Sequence, residues 1–327
     1  MFPAIKKIFL HSRILEPDVK GKVMVIYDRR DTFGGWLSMK QGMFSEFFSV
    51  LGALVYAGKN QAAGVWVKFQ SDLYADPQQG DNWWSYFFEP RMILRHDIQT
   101  PPEIHFNRRI CRYGPFGWNL SWSSEILPGY PASRPYPIDS KEVMKKVGDL
   151  VKRHIRVRPY LLERVEAIRS ECMGDAFVIG IHYRGTDKKL LYPYESPSYD
   201  LFDEYIGRVI KRYAVGEFKL FIATDEMEFM EWARTRYKDR VCCYEESPRL
   251  SRTDPSASKG GTHKSKAFSN HLKGESAVMD CLLLSRCNYI IKNRSSLSDI
   301  SLAFNPFLDW TMILGVNDPV YSSDPDI

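Results

Sequence analysis

Apolar and polar positions in the first seventy residues predict a strand, a helix and a second strand. Residues 22–27 (KVMVIY) form a short apolar run rich in strand-forming side chains, and residues 64–69 (GVWVKF) form another. Between them, apolar side chains recur at helical spacing from 41 to 56. A polar turn containing Gly34 and Gly35 follows the first run. This part of the chain therefore predicts a β–loop–α–β unit with a glycine loop.

After an irregular stretch rich in Trp, Pro and Tyr, strands and helices alternate along the rest of the chain. The sequence predicts helices near 139–153, 159–171, 200–214, 226–236, 274–286 and from 296, and strands at 177–183, 218–224, 240–244 and 288–291. Alternation at this spacing is typical of a parallel sheet with helices on both faces. The C-terminal half is therefore predicted to be Rossmann-like, although it lacks the GxGxxG fingerprint of dinucleotide-binding proteins.

Length and composition fit one large or two ordinary globular domains. The chain has 327 residues, of which 44% are apolar and 26% charged, which excludes a disordered or collagen-like protein. A change in texture predicts an N-terminal α/β domain at 1–155 and a C-terminal Rossmann-like domain at 156–327. The net charge of +5 is mild, so we expect no nucleic-acid partner.

Hydropathy and cysteine usage predict a soluble protein of a reducing compartment. The N-terminus lacks the apolar core of a signal peptide, and no segment reaches the roughly 20 apolar residues of a membrane span. The 6 cysteines show neither a disulfide framework nor the spacing of zinc ligands. We therefore expect a cytoplasmic protein without a membrane span or a bound metal.

Three segments place polar side chains at the ends of predicted strands, where open α/β sheets bind their ligands. The first is 180–188 (GIHYRGTDK), in which His182 and Arg184 share one face of a strand. An arginine at a strand end suits a bidentate contact with a phosphate. The alternative is an ion pair of Arg184 with Asp187 that holds the loop.

The second and third segments carry carboxylates and hydroxyls. Asp225 follows a strand and either shapes a ligand pocket or caps the next helix. Asp280 has largely apolar neighbours on a helix, where an unpaired charge is costly. The two adjacent N–H donors of a guanine base would satisfy this carboxylate. Ser295 and Ser296 precede a helix, where they either bind phosphate or act as its cap.

In this order, the three segments resemble the motifs of a fucosyltransferase superfamily. The strings GIHYRGTDK, FIATDE and SAVMDCLLLSRCNYIIKNRSS correspond to its HxRxxDK, ATD(D/E) and D…SxCxxxI…SS motifs. The superfamily contains core α1,6-fucosyltransferases, the rhizobial nodulation fucosyltransferase and the protein O-fucosyltransferases. The resemblance covers roughly residues 177–305, with a weaker match at the glycine loop.

This resemblance implies a GT-B architecture with two Rossmann-like domains. Residues 1–155 would form the acceptor-side domain, and residues 156–327 would form the nucleotide-sugar-binding domain that contains the donor site. It implies an inverting, metal-independent transferase that moves fucose from GDP-fucose to a hydroxyl of a glycan acceptor, without a cofactor. Arg184 would hold the diphosphate and stabilise its negative charge as it leaves. By the same resemblance, the donor site contains Gly34, Gly35, His182, Asp225, Asp280, Ser295 and Ser296, and the reaction centre contains Asp187 and Lys188.

The general base departs from the superfamily pattern. In the α1,6 branch a glutamate stands four residues after the lysine of the DK pair, and this position is Tyr192 here. Glu195 lies close by and is one alternative. In one O-fucosyltransferase branch the base is a glutamate beside the glycine loop, for which Glu46 and Asp31 are the alternatives. A base must reach the acceptor hydroxyl, so the sequence leaves the assignment open.

Two other functions stay open at this stage. The same fold can use another nucleotide sugar, such as UDP-xylose or GDP-rhamnose, because an acid such as Asp280 also binds other donors. The loss of the family's base at Tyr192 favours instead a nucleotide- or sugar-binding protein without transferase activity. Residues 82–89 (NWWSYFFE) form either part of an acceptor groove or a core cluster.

The resemblance also bears on the compartment. Animal members of the superfamily work in the secretory pathway. Here, Asn293-Arg294-Ser295 is a glycosylation sequence inside the proposed phosphate motif, where a glycan would block the site. We therefore expect a cytoplasmic enzyme of a bacterial cell or a virus-infected host.

Overall fold

The computed structural model describes residues 18–28, 42–106, 141–186, 197–258, 260–315 and 320–327. Within them, the strands are β1 (Val23–Tyr27), β2 (Gly64–Lys68), β3 (Arg91–Ile93), β4 (Glu103–Phe106), β5 (Phe177–Tyr183), β6 (Phe218–Thr224), β7 (Val241–Cys242), β8 (Tyr289–Lys292), β9 (Asp309–Met312) and β10 (Tyr321–Ser322). The α-helices are α1 (Met43–Lys59), α2 (Trp84–Phe87), α3 (Lys141–His154), α4 (Pro159–Ile168), α5 (Tyr199–Arg212), α6 (Met227–Tyr237), α7 (Pro255–Ser258), α8 (Asn270–Leu284) and α9 (Ser296–Phe304).

The first four strands form one sheet in the order β3-β2-β1-β4. Strand β1 pairs in parallel with β2 and β4, and β3 is antiparallel at the edge. Helix α1 contributes the fully buried side chains Phe47, Val50 and Leu51 to the core. The predicted β–α–β unit is confirmed. Strands β3 and β4 were not predicted, because three or four residues are too few to show an alternating pattern.

The aromatic segment 82–89 is a core cluster. Trp83, Trp84, Phe87 and Phe88 are all 0% exposed, and the rings of Trp84 and Phe88 lie 4.5 Å apart between centroids. Of the two alternatives given for this segment, the core cluster is therefore the one that the structure supports. An acceptor groove formed by these aromatic rings is excluded by their burial.

The remaining strands form a second, six-stranded sheet in the order β10-β9-β8-β5-β6-β7. All its neighbours are parallel except β9 and β10, which are antiparallel. Strand β5 lies in the middle, between β6 and β8. The predicted parallel sheet is thus confirmed. The short strands β9 and β10 were not predicted.

Helices cover both faces of this second sheet. On one face, Ile181 packs with Phe202 of α5 and Phe229 of α6 in one buried cluster. On the other face, Phe221 and Leu282 belong to a second cluster that includes α8 and α9. These layers give the carboxyl ends of β5, β6 and β8 a common edge that the helices leave accessible.

The two sheets share a continuous hydrophobic core. Helix α3, which follows the first sheet in the chain, packs on α9 of the second sheet. Asn270, at the start of α8, donates hydrogen bonds to the main-chain oxygens of Asp72 (2.8 Å) and Ala75 (2.9 Å). The division into domains at residue 155 stays a prediction, because this core runs across it.

Two further expectations concern the compartment. Across the described ranges, no helix is both long and apolar enough to cross a membrane. The five cysteines within these ranges are free thiols: Cys172, Cys242, Cys243, Cys281 and Cys287. Cytoplasmic location itself stays a prediction.

Candidate functional site

A cavity of about 270 Å³ lies between the two sheets, at the carboxyl ends of β5 and β6. The first turns of α1 and α9 and one face of α8 complete its walls. The site residues that were predicted from the sequence and that line this cavity are His182, Arg184, Asp225, Asp280, Ser295 and Ser296. Positions more than 100 residues apart in the chain therefore meet here.

Arg184 reaches the cavity because β5 ends one residue before it. Its guanidinium Nη2 lies 3.4 Å from Nδ1 of His263. Asn293, one residue beyond β8, fixes the main chain of Arg184 in both directions. Its Oδ1 accepts a hydrogen bond from the Arg184 N–H (2.9 Å), and its Nδ2 donates to the Arg184 carbonyl (2.9 Å). The main chain of Arg184 is thus held in place by Asn293, at the point where its side chain lines the cavity.

The Asn293→Ala substitution is expected to lower the free energy of unfolding by about 1–3 kcal/mol, because it leaves buried main-chain groups unpaired. Asn293 is only 2% exposed, so water does not replace the lost amide. Urea unfolding measures the change. A matched control is Asn305→Ala, which removes one hydrogen bond from Asn305 Nδ2 to the Ser285 carbonyl (3.0 Å) at a half-buried position. Equal losses in the two variants would contradict the anchoring role of Asn293.

Asp225 shapes the loop that follows Arg184. Its carboxylate accepts hydrogen bonds from Gly185 N (2.9 Å) and Thr186 Oγ1 (2.6 Å). Gly185 is required here by close packing, because a Cβ at this position would lie 2.0 Å from Oε2 of Glu226. The main chain at Gly185 therefore lies in close contact with the buried carboxylate of Glu226.

His182 presents a neutral ring to the cavity. Burial, together with the positive charges of Arg184 and Lys292, lowers the pKa of His182 to about 3. Lys292 is the residue opposite His182 in the β5–β8 pairing. It is itself fully buried and forms an ion pair with Asp299 of α9. His182 therefore lines the cavity as a neutral polar group, and cationic contacts must come from other residues.

Asp280 carries a carboxyl oxygen that the protein leaves open. The residue is 7% exposed, and its Oδ2 accepts a hydrogen bond from Ser247 Oγ (2.9 Å). Its Oδ1 is buried and has no hydrogen-bonding partner in the described part of the chain. Burial raises the pKa of Asp280 to about 7, although Arg249 and Ser247 lower it. A buried acceptor without a donor at a cavity wall is suited to a ligand that brings N–H groups.

The first turns of two helices meet at the other side of the cavity. Ser295 caps α9, because its hydroxyl accepts a hydrogen bond from Leu297 N (3.3 Å). The Ser296 hydroxyl lies 3.4 Å from that of Ser45 in the first turn of α1. Helix N-termini present N–H groups and a positive dipole end to anions. The capping role and a phosphate contact are therefore compatible at this position.

Comparison with known proteins finds matches for the structure but none for the sequence. No protein-family model and no curated protein matches the sequence. The structure matches NodZ alpha-1,6-fucosyltransferase co-crystallised with GDP at a TM-score of 0.52 and 17% identity, over 89% of this chain and 94% of that one. The chain has the fold of the GT-B fucosyltransferases.

Two further crystal structures show the same fucosyltransferase fold. NodZ soaked with GDP-fucose matches at a TM-score of 0.51 and 18% identity, over 89% of this chain and 94% of that one. Fucosyltransferase NodZ from Bradyrhizobium matches at a TM-score of 0.50 and 17% identity, over 89% and 95% of the two chains. The resemblance inferred from the three motifs is confirmed at the level of the GT-B fold.

The remaining predicted site residues either do not line the cavity or lie outside the described residues. Glu46 lies in α1, is 2% exposed and is not among the residues that line the cavity. Outside the described residues lie Asp31, Gly34, Gly35, Asp187, Lys188 and Glu195. The roles of these six residues and of Glu46 stay predictions.

Among the cavity residues that were not predicted from the sequence are Tyr74, Ser247, His263 and Lys273. Tyr74 and Ser247 come from connections between regular elements and His263 from a 3₁₀ helix of three residues, where no periodic pattern marks a site. Lys273 offered a signal, since it precedes Asp280 by seven residues, which is two helical turns on one face.

Two observations concern a glycan at Asn293, which would block the site, and a bound metal ion, which would add to it. Both amide atoms of Asn293 are engaged and the residue is buried, so the folded protein does not offer this asparagine to a glycan. Among the residues that the structure describes, no group of three or more His, Cys, Asp or Glu side chains is arranged to hold a metal ion. Metal independence stays a prediction.

Proposed function

We propose that this protein is an inverting glycosyltransferase that moves fucose from GDP-fucose to a hydroxyl of a glycan acceptor. The observation on which the proposal rests is one cavity lined both by Asp280, with its buried, open carboxyl oxygen, and by Arg184, whose main chain Asn293 holds in place. The GDP and GDP-fucose complexes of structures with the same fold support it.

The carboxylate of Asp280 favours a guanine base over uracil. Guanine presents a ring N–H and an exocyclic amine side by side, and one carboxylate accepts both hydrogen bonds. Uracil presents a single ring N–H between two carbonyl oxygens, and these oxygens repel a carboxylate. The open Oδ1, together with the Oδ2 that Ser247 orients, matches the guanine pair. We therefore propose a GDP-sugar donor and rank UDP-xylose below it.

The phosphate end of the cavity supplies positive charge where the reaction needs it. As the bond between fucose C1 and the diphosphate oxygen breaks, negative charge grows on the leaving GDP and the sugar becomes oxocarbenium-like. Arg184 and the first turns of α1 and α9 would stabilise the leaving group. The acceptor hydroxyl would attack the opposite face of C1, which inverts the configuration. Its proton would pass to a base, for which Glu195 and Glu46 stay the proposed alternatives.

A donor panel tests this proposal. The purified protein is incubated with GDP-fucose, GDP-rhamnose and UDP-xylose, and release of the nucleoside diphosphate is followed with and without EDTA. We expect slow hydrolysis of GDP-fucose that EDTA does not abolish, since water replaces the missing acceptor. Faster turnover of GDP-rhamnose would keep the guanine site and change the sugar. Release of UDP alone, or tight GDP binding without turnover of any donor, would contradict the proposal.

We also propose that the protein acts in the cytoplasm. Free thiols at the five described cysteines and the buried position of Asn293 within a glycosylation sequence support a compartment without disulfide formation or N-glycosylation.

A further inference from the structure

Lys273 is a buried cation that lines the cavity and is not among the residues proposed above to contact the donor. It lies in the first turn of α8, lines the cavity and is 8% exposed. Within the described ranges, its one side-chain hydrogen bond runs from Nζ to the Ser265 carbonyl (3.2 Å), and its ammonium forms no ion pair. An ammonium group has three donors. Two donors of this buried group are therefore available to a ligand.

The neighbours of Lys273 place it at the same end of the cavity as Arg184. The segment 263–265 contacts both cations, because the His263 ring lies 3.4 Å from Nη2 of Arg184 and the Ser265 carbonyl accepts from Lys273. Lys273 is also two helical turns from Asp280 on one face of α8. A ligand held at Asp280 by one end therefore extends along α8 towards both cations.

Packing of the helix at this point keeps Lys273 in place. The next residue, Gly274, has no room for a Cβ, which would lie 2.7 Å from the Phe87 ring and 3.0 Å from the Met43 side chain. Met43 belongs to the first turn of α1, and its N–H donates to the Tyr74 hydroxyl (3.0 Å). The turn of α8 that carries Lys273 is thus packed directly against the α1 side of the cavity.

Burial of Lys273 has an energetic cost that an anion would offset. Desolvation lowers the pKa of Lys273, and the charge of Asp72 opposes this only in part. A buried ammonium with a single carbonyl partner is poorly compensated. Hydrogen bonds from an ammonium to phosphate oxygens are charge-assisted and stronger than the existing one.

We infer that Lys273 is a second diphosphate ligand, which binds the terminal phosphate of the nucleoside diphosphate beside Arg184. This inference rests on the proposed function of the cavity and adds a specific residue to it. It assigns Lys273 to the phosphate end, whereas Asp280 on the same helix contacts the base. Guanosine, which lacks phosphates, should therefore bind without help from Lys273.

Calorimetric titrations of the Lys273→Met variant with GDP, guanosine and inorganic pyrophosphate test the inference. We expect the affinities for GDP and pyrophosphate to fall by at least about tenfold, with guanosine unchanged. Lys273→Arg, which keeps the charge, should restore part of the loss. The control is Lys266→Met, which removes the same charge from an exposed position outside the cavity lining. Circular dichroism confirms that the variants fold.

The possible outcomes separate this inference from the proposed function. Loss of guanosine affinity equal to that of GDP would show a structural role for Lys273 and overturn the inference. Unchanged GDP and pyrophosphate affinities would also overturn it. Pyrophosphate binding that depends on Lys273 in a protein that does not bind guanosine would support the inference and contradict the guanine site.

Discussion

The Arg184→Ala variant is expected to turn over its nucleotide-sugar donor about 100 to 1,000 times more slowly than the wild type, because a fixed charge at the leaving group is lost. The fold should survive this change. Asn293 contacts only main-chain atoms of residue 184, and alanine keeps these atoms. Steady-state release of GDP from GDP-fucose measures the effect on kcat.

A matched control separates this effect from a general loss of positive charge. Arg212 is partly exposed and pairs with Asp324 and Asp326 away from the cavity. Arg212→Ala should therefore keep the wild-type rate, whereas Arg184→Lys should retain an intermediate one. If Arg184→Ala stayed within about tenfold of the wild type, roughly 1.4 kcal/mol of barrier, its role at the leaving group would be wrong.

The Asp280→Asn variant is expected to lose about 100-fold in affinity for GDP, close to the upper range for hydrogen bonds to a charged group. An amide offers one acceptor atom and one donor group, so it cannot accept both N–H groups of guanine. Ser247→Ala removes only the donor that orients Oδ2 and should cause a smaller loss. Calorimetry with GDP measures both variants. Equal affinities of Asp280→Asn and the wild type would contradict guanine recognition by this residue.

The same carboxyl group gives stability and binding opposite responses to pH. The pKa of Asp280 rises from 3.8 to about 7 in the folded protein because the group is buried. The group is protonated in both states below about pH 4, and from there up to about pH 7 its burial increasingly destabilises the fold. GDP binding by the wild type should instead strengthen through pH 7, as the carboxylate ionises.

Thermal unfolding of Asp280→Asn without ligand checks this assignment. The variant should have a higher Tm than the wild type at about pH 8, where the buried charge is removed, and a similar Tm at about pH 4. A site that lowers stability in the absence of its ligand is typical of functional residues. A variant less stable than the wild type at about pH 8 would contradict this origin of the raised pKa.

The buried parallel strands were predictable because each is a continuous apolar run. The predicted ranges 177–183 and 218–224 coincide with β5 and β6. Helix α8 was predicted to begin four residues too late, since Gly274 interrupts its apolar pattern. In the structure Ser269 caps this helix through Leu272 N (3.2 Å), and the glycine allows close contact with Met43 of α1 and Phe87 of α2.

The site was predictable only where a polar side chain stands out from its element, either directly after a buried strand or on an apolar helix face. Arg184 follows a buried strand directly, and Asp280 is an acid on an otherwise apolar helix face, so both are conspicuous in the sequence. Tyr74 and Ser247 come from connections, and their place in the cavity depends on packing between distant parts of the chain. No local pattern encodes such contacts. For the same reason the choice of general base stays open between Glu46, Asp31 and Glu195.

Calorimetric titration of the wild-type protein with GDP and with UDP, each with and without EDTA, tests the central claim most directly. The account predicts that GDP binds tightly, that EDTA does not change its affinity, and that UDP binds far more weakly. A preference for UDP, or the absence of binding by either nucleotide, would contradict the assignment of this cavity as a GDP-sugar site.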